Sequence, residues 1–153
     1  MWKQIERFRA LGQPARGLFL GASVLLPLVS ISLKWRGFRQ TKALLERFLT
    51  VAHGSTNLDV QARTALTARM VRAAGYYGIG HPNCLNLSLA LWWLLARQGI
   101  ASDLRVGVRK AGEKFEAHAW VECGGVPLNE PEANHEQFAA FDAALASLPP
   151  ELR

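Results

Sequence analysis

The chain is predicted to fold as an α+β protein, in which a group of helices precedes a small antiparallel sheet. Two observations predict this class. Before residue 100, apolar residues recur mostly at helical spacing, whereas residues 103–123 alternate apolar and polar side chains with the period of two that marks strands. The helical segments come first and the strands follow, which favours segregated elements over alternating βαβ units.

Length and composition predict a single globular domain. The 153 residues suffice to bury a core, and half are hydrophobic while a fifth are charged, which excludes a disordered chain. We expect residues 1–75 to form a helical N-terminal region that packs on a core formed by residues 76–153. The two cysteines are too few for a disulfide framework, which favours a reduced, cytoplasmic protein.

The charge of the chain is unevenly distributed. Residues 1–72 contain 12 Lys and Arg against 3 Asp and Glu, whereas residues 73–153 contain 6 against 9. A basic face can attract an acidic partner, membrane lipid or nucleic acid. Because the basic residues are spaced singly and no nucleic-acid motif accompanies them, we expect no nucleic-acid partner. A solvated pair of basic helices is the simplest interpretation.

Three helical segments are predicted in the N-terminal region, at residues 2–12, 17–33 and 38–52. The second of these, GLFLGASVLLPLVSISL, is uncharged and approaches the length of a bilayer span or of a signal-peptide core. Pro27 in its middle and the basic residues Arg16 and Lys34 at its ends favour a buried or membrane-surface helix. We therefore expect a cytoplasmic protein in which residues 17–33 can contact a membrane.

Two further helices are bounded by capping signals. A capping-box pattern at residues 56–59 predicts a helix that ends at Gly75. Asn83 is a favourable N-cap, and Gly99 a favourable C′ residue, for a helix from Cys84 to Gln98. Leu and Trp residues surround most of the axis of this last helix, which predicts that it is central and largely buried.

Strands are predicted after Gly99. The expected elements are strands at residues 103–109, 115–123 and 126–129 and a short helix at residues 134–148. Alternation along the second strand directs His118 and Trp120 to one face and Cys123 to the other.

Cys84, His118 and Glu130 are the candidate catalytic residues. A cysteine nucleophile reacts as the thiolate, which the N-terminus of a helix stabilises, and the free N–H groups there can bind an oxyanion. A histidine on a strand packed against the helix can serve as the base. Glu130, or the neighbouring Asn129, follows the adjacent strand and can orient the histidine ring.

Other interpretations of these residues remain open. A cysteine at a helix start is often a small buried residue, and a strand histidine is often a structural one. A zinc site formed by His81, Cys84, His118 and Cys123 is disfavoured, because alternation turns His118 and Cys123 to opposite faces. We therefore expect no metal. A disulfide between the two cysteines is allowed by their number alone.

Two segments, NCLNLSLALWWLLARQGIASDLRVGVRK and AHAWVECGGVPLN, resemble the transglutaminase-like proteases of lasso-peptide biosynthesis, the stand-alone B2 type. The matching residues are Cys84, Leu85, Ser88, Leu89 and Leu91; Gly99, Ile100, Leu104, Gly107 and Val108; and Ala117 to Glu122, Gly125, Leu128, Asn129 and Glu130. The resemblance covers about residues 81–142. It implies a papain/transglutaminase-like core, in which a central helix carrying the cysteine packs on a small antiparallel sheet.

The resemblance also implies a function and partners. Such a cysteine peptidase removes the leader of a lasso-peptide precursor, without a cofactor, before a separate ATP-dependent cyclase closes the macrolactam ring. A leader-binding recognition protein (the B1 type) delivers the precursor, and the cyclase is a further candidate partner. Transglutaminase-type acyl transfer and a non-catalytic membrane-surface or protein-interaction module are the alternative functions.

Individual roles follow from the same resemblance. Cys84 is implied to be the nucleophile, His118 the base and Glu130 the orienting carboxylate. The family usually has Asp at this last position, so Asn129 stays an alternative. Trp120, on the strand face of His118, either shields the site, lines the substrate groove or is a core residue. Ser88, one turn after Cys84 on the same helix face, is expected to be a packing or helix-backbone hydroxyl and not a second nucleophile.

Overall fold

The structure, a computed structural model, describes residues 12–49, 59–78, 81–111, 114–129 and 139–140. It contains three helices followed by a four-stranded antiparallel sheet with the order β3-β2-β1-β4. The elements are α1 (Gln13–Arg47), α2 (Val60–Tyr77), α3 (Cys84–Arg97), β1 (Asp103–Ala111), β2 (Lys114–Cys123), β3 (Val126–Pro127) and β4 (Ala139–Ala140). The predicted α+β class is confirmed.

Helix α1 contains most of two segments that were predicted as separate helices. It runs through Pro27 and is kinked at Gly37, where φ is +74° and ψ is 178°. Only glycine adopts this backbone conformation readily, so Gly37 lets the chain change direction between the two helical parts. The predicted helix at residues 2–12 lies outside the described residues.

Helix α2 extends two residues past its predicted end at Gly75, to Tyr77. Gly75 lies against the start of α3: a Cβ atom added there would be 2.7 Å from Cδ2 of Leu87 and 3.3 Å from Cγ of Pro82. A distance of 2.7 Å is shorter than van der Waals contact, so the glycine permits the end of α2 and the beginning of α3 to pack closely.

Helix α3 has nearly the predicted bounds. The side-chain oxygen of Asn83 accepts a hydrogen bond from the N–H of Asn86 at 3.0 Å, and Gly99 has a φ of +70° just past the helix end. Leu89, Leu91 and Leu95 are fully buried. The core cluster joins them to apolar side chains of α1, α2 and β2, so α3 is central, as predicted.

The sheet is built on the pairing of β1 with β2. Their register places Leu104 opposite Val121 and Gly107 opposite His118. Val121 and the partly buried Leu104 pack with the helices, so this face of the sheet covers the core. The predicted helix at residues 134–148 is wrong at Ala139–Ala140, which pair with β1 as a strand; the rest of that segment lies outside the described residues.

Candidate active site

Cys84 is the first residue of α3 and a half-buried free thiol. The Asn83 cap binds the N–H of Asn86, and the N–H of Leu87 donates to the backbone oxygen of Asn83 at 3.1 Å. The N–H groups of Cys84 and Leu85 belong to the first turn, where helical geometry offers no acceptor within the helix. The thiol therefore lies beside backbone donors at the positive end of a helix.

Ser88, one turn after Cys84, joins α3 to β2. Its hydroxyl is fully buried and donates to the backbone oxygen of Ala119 at 2.9 Å. The same hydroxyl accepts a hydrogen bond from Nδ2 of Asn129 at 2.9 Å, and Oδ1 of Asn129 accepts one from the N–H of Val121 at 2.8 Å. We call Ser88 and Asn129 the clamp, because together they fix α3, β2 and the chain after β3.

The clamp acts on the edge of β2 that faces β3. The backbone oxygen of Val121 accepts from the N–H of Leu128 at 2.9 Å on this edge. Backbone groups two residues apart in a strand point to the same edge, so the oxygen of Ala119 points there as well. The pairing of β3 with β2 involves only Glu122 and Cys123. At Ala119, a helix hydroxyl therefore takes the place of a neighbouring strand.

A second contact sets the direction of α3 along β2. The Sγ atom of Cys123 donates to the backbone oxygen of Ala101, just past α3, at 3.5 Å. The C-terminal end of α3 thus lies beside the C-terminal end of β2, and the two elements run parallel. One helical turn back from Ser88 is about 5.4 Å, or about two residues of an extended strand. Along the strand direction, this alignment brings Cys84 level with residues 117–118.

His118 lies on the face of β2 opposite to Val121. Its cross-strand partner is Gly107, which adds no side chain to the surface next to the imidazole. The ring of Trp120 is stacked with that of His118, with the centroids 6.1 Å apart and the planes at 17°. The surroundings of His118 thus combine a residue without a side chain on β1 with a flat aromatic support on β2.

Trp120 is itself held in place by a charged pair. Its Nε1 donates to Oε1 of Glu122 at 2.7 Å, and Oε2 of the same carboxylate accepts from Nε of Arg105 at 3.2 Å. The tryptophan is only 3% exposed, which favours a supporting role under His118. A direct contact between Trp120 and substrate stays a prediction.

The third candidate position is only partly described. Glu130 lies outside the described residues, and its role stays a prediction. Asn129, the alternative orienting residue, uses both polar atoms of its side chain in the clamp. It therefore positions α3 against β2, a role that its place after a strand did not reveal. The signal available in the sequence was the joint presence of Ser88 and Asn129 in the motif residues.

An exposed aromatic pair lies near the start of α3. The rings of Tyr76 and Tyr77 form an edge-to-face contact with centroids 4.9 Å apart, and Tyr76 is 83% exposed. They follow Gly75, which contacts Pro82, two residues before Cys84. No motif in the sequence predicts a function for these tyrosines.

Comparisons with known proteins give one match. Residues 26–141 match the protein-family model described as the transglutaminase-like superfamily. No curated protein and no solved structure matches the chain. The matched range contains Cys84, His118 and both residues of the clamp. Among the described residues, no group of three or more His, Cys, Asp or Glu side chains is arranged to hold a metal ion.

Proposed function

Because the chain belongs to the transglutaminase-like superfamily, we propose that it is a cysteine peptidase that removes the leader peptide of a lasso-peptide precursor. The superfamily includes cysteine peptidases and transglutaminases. Both activities begin with the attack of a cysteine thiolate on a carbonyl carbon, so the family supports acyl chemistry. The resemblance of residues 81–142 to lasso-peptide proteases supports the narrower choice.

The observation that carries this proposal is the hydrogen bond from Ser88 to the backbone oxygen of Ala119. It joins the helix that begins with a cysteine to the strand segment that contains a histidine. A nucleophile and its base must come close together for catalysis, and this contact supports the proposal by holding the first turns of α3 against the segment of β2 that carries His118.

The proposed reaction proceeds in two steps. The Cys84 thiolate attacks the scissile carbonyl, and N–H groups at the start of α3 stabilise the oxyanion. His118 gives its proton to the leaving amine, and the C–N bond breaks to leave an acyl-enzyme. His118 then takes a proton from water, the resulting hydroxide attacks the thioester, and the Cys84 thiolate leaves. Glu130 is proposed to hold the imidazole in the required orientation.

The substrate and partners rest on the resemblance. We propose that a leader-binding recognition protein delivers the precursor, that cleavage occurs between leader and core, and that the cyclase acts on the released core. The reaction needs no cofactor, because the thiolate, the imidazole and water supply every group that forms or breaks a bond. We also propose that the peptidase acts in the cytoplasm.

The decisive experiment incubates precursor and leader-binding protein with the wild-type chain or with Cys84→Ala and detects the products by mass spectrometry. We expect free leader and free core with the wild-type chain and intact precursor with the variant. The matched control is Cys123→Ala, which removes the other half-buried thiol and should keep cleavage. Full cleavage by Cys84→Ala would exclude the proposal.

Acyl transfer to an amine is the second candidate, since the superfamily contains transglutaminases as well. The same thioester would then be resolved by an amine instead of water. Adding a primary amine to the reaction separates the two activities. Peptide that gains the mass of the amine indicates transfer, whereas peptide that gains the mass of water indicates hydrolysis. A chain that produces neither product while still binding the leader-binding protein would be an interaction module.

A further inference from the structure

Helix α1 carries a row of exposed apolar side chains that the proposed peptidase reaction does not use. Leu20, Val24, Leu28, Ile31 and Trp35 are 55%, 63%, 58%, 57% and 83% exposed. At about 100° per residue, these positions fall within an arc of about 80° on the helix surface. We call these five residues the α1 row. Exposed apolar patches of this kind mark interaction sites.

The opposite face of α1 is packed against the protein. Ala22, Leu26 and Val29 are buried in the core cluster. Ser30 is hydrogen-bonded to the side chain of Asn86 in α3, and the hydroxyl groups of Ser32 and Thr41 are 2.9 Å apart. A helix that crosses a bilayer needs an apolar surface around its whole circumference to face lipid or other spans. Because one face of α1 belongs to the core of this protein, only the other face is available to lipid.

Basic residues adjoin the C-terminal end of the α1 row. Lys34, Arg36 and Arg39 are exposed, and Trp35 lies between the first two. Residues 12–47 contain a single acidic side chain, Glu46, which is paired with Lys42. Tryptophan prefers the boundary between lipid headgroups and acyl chains, and Lys or Arg beside it attracts anionic headgroups. The charge around the row is thus complementary to an anionic membrane surface.

We propose that α1 docks this protein on an anionic phospholipid bilayer, with the helix axis in the plane of the membrane and the α1 row inserted among the headgroups and upper acyl chains. Interfacial helices bind in this manner through a buried apolar strip and a basic rim. A second copy of the chain is a less favourable occupant, because α1 offers no unpaired acidic side chain to the basic residues Lys34, Arg36 and Arg39 of the other copy. The docking is independent of the proposed peptidase reaction.

The test measures co-sedimentation of the full chain with vesicles. One set contains phosphatidylcholine and phosphatidylglycerol in equal parts, and the other contains phosphatidylcholine alone. We expect binding to the anionic vesicles that weakens as salt is raised, because salt screens the basic rim. Alkaline carbonate should release the bound protein, whereas a spanning helix would stay in the pellet.

The decisive variant is Leu28→Glu/Ile31→Glu, which places two charges on the α1 row. Its matched control is Phe115→Glu/Val126→Glu, which places two charges at exposed apolar positions of β2 and β3. We expect the first variant to lower the vesicle affinity at least about tenfold. The control adds the same two negative charges away from the α1 row, so it should lower the affinity only through repulsion between these charges and the anionic lipid. Circular dichroism and cleavage activity check that both variants are folded.

Several results would overturn the proposal. These are the absence of binding to anionic vesicles, equal loss in both double variants, and resistance to carbonate extraction. A dimer in analytical ultracentrifugation that Leu28→Glu/Ile31→Glu abolishes, without any vesicle binding by the wild-type chain, would assign the row to a second copy. Co-purification with the leader-binding protein that this variant abolishes, again without vesicle binding, would assign it to that partner.

Discussion

The two cysteines lie at opposite ends of the same contact between α3 and β2, and their surroundings differ. Cys84 is the first residue of α3, in the first turn, where backbone N–H groups have no acceptor within the helix. Cys123 ends the strand, and its thiol donates to the backbone oxygen of Ala101. Both are half-buried free thiols, so burial does not distinguish them. What distinguishes them is their place: Cys84 is the proposed nucleophile at a helix N-terminus, whereas Cys123 attaches the end of β2 to the backbone just past α3.

The largest difference between the two ends is expected in catalysis. His118→Ala should lower kcat/KM for precursor cleavage by at least about a thousandfold, because the thiolate loses its base and the leaving amine its acid. Cys123→Ala should leave kcat/KM nearly unchanged. The measurement is the rate of leader release with the leader-binding protein present. Retention of most of the activity in His118→Ala would mean that the reactive end is wrongly assigned.

The clamp should matter for stability as well as for rate. Ser88→Ala removes the hydroxyl that donates to Ala119 and accepts from Asn129 at a fully buried position. The free energy of unfolding measured in urea should therefore fall by about 1–3 kcal/mol. Ser23→Ala is the matched control, since its hydroxyl bonds only within α1, to the oxygen of Phe19. The control should lower the free energy of unfolding by less than about 1 kcal/mol. Equal losses in the two variants would show that the clamp contributes nothing beyond an ordinary hydroxyl.

Chemical labelling compares the two thiols directly. In the folded protein at neutral pH, iodoacetamide should modify Cys84 at least about tenfold faster than Cys123, because the helix N-terminus stabilises the reacting thiolate. Peptide mapping by mass spectrometry gives the two rates in one sample. Denatured protein supplies the reference, in which the two cysteines should react at similar rates. Faster labelling of Cys123 in the folded protein would reverse the comparison.

The smallest effect is expected near the reactive end, at the exposed tyrosines. Tyr76→Ala removes an aromatic surface worth about 1 kcal/mol in contact with a substrate side chain, which corresponds to about a fivefold rise in KM. The kcat value should not change, because Tyr76 is not expected to contact the reacting atoms. Phe115→Ala, a change at an exposed aromatic residue of β2, is the control. A fall in kcat with constant KM would contradict substrate binding by Tyr76.

Local signals predicted the parts of the fold that local interactions control. Asn83 and Gly99 bound α3 through contacts within a few residues, and alternation alone gave β1 and β2. Residues 139–140 were predicted as part of a helix at residues 134–148, but in the structure they pair with Gly107 and Val108. The edge of β1 is available for pairing with residues 139–140. Such pairing between residues distant in the chain outweighs a weak local preference for helix.

In the candidate site, too, features set by local sequence could be predicted, whereas contacts between distant residues could not. Cys84 could be identified because a helix start is visible in the sequence, and His118 because alternation assigns its face. The functions of Ser88 and Asn129 could not be predicted, because their hydrogen bond joins residues 41 positions apart. The resemblance to the protease family included both residues but did not show which contacts they make. The reason is the geometry of the β2 edge, which appears only when helix and sheet are assembled.

The Ser88 hydroxyl also has a consequence for solubility. A strand edge with unused backbone acceptors is a template on which another chain can add a strand, and proteins protect such edges against aggregation. Beyond the short β3, the acceptor at Ala119 is occupied by a helix that cannot extend the sheet. The hydrogen bond from Ser88 to Ala119 therefore also blocks intermolecular strand addition at this point, and losing it would expose this edge of β2 to self-assembly.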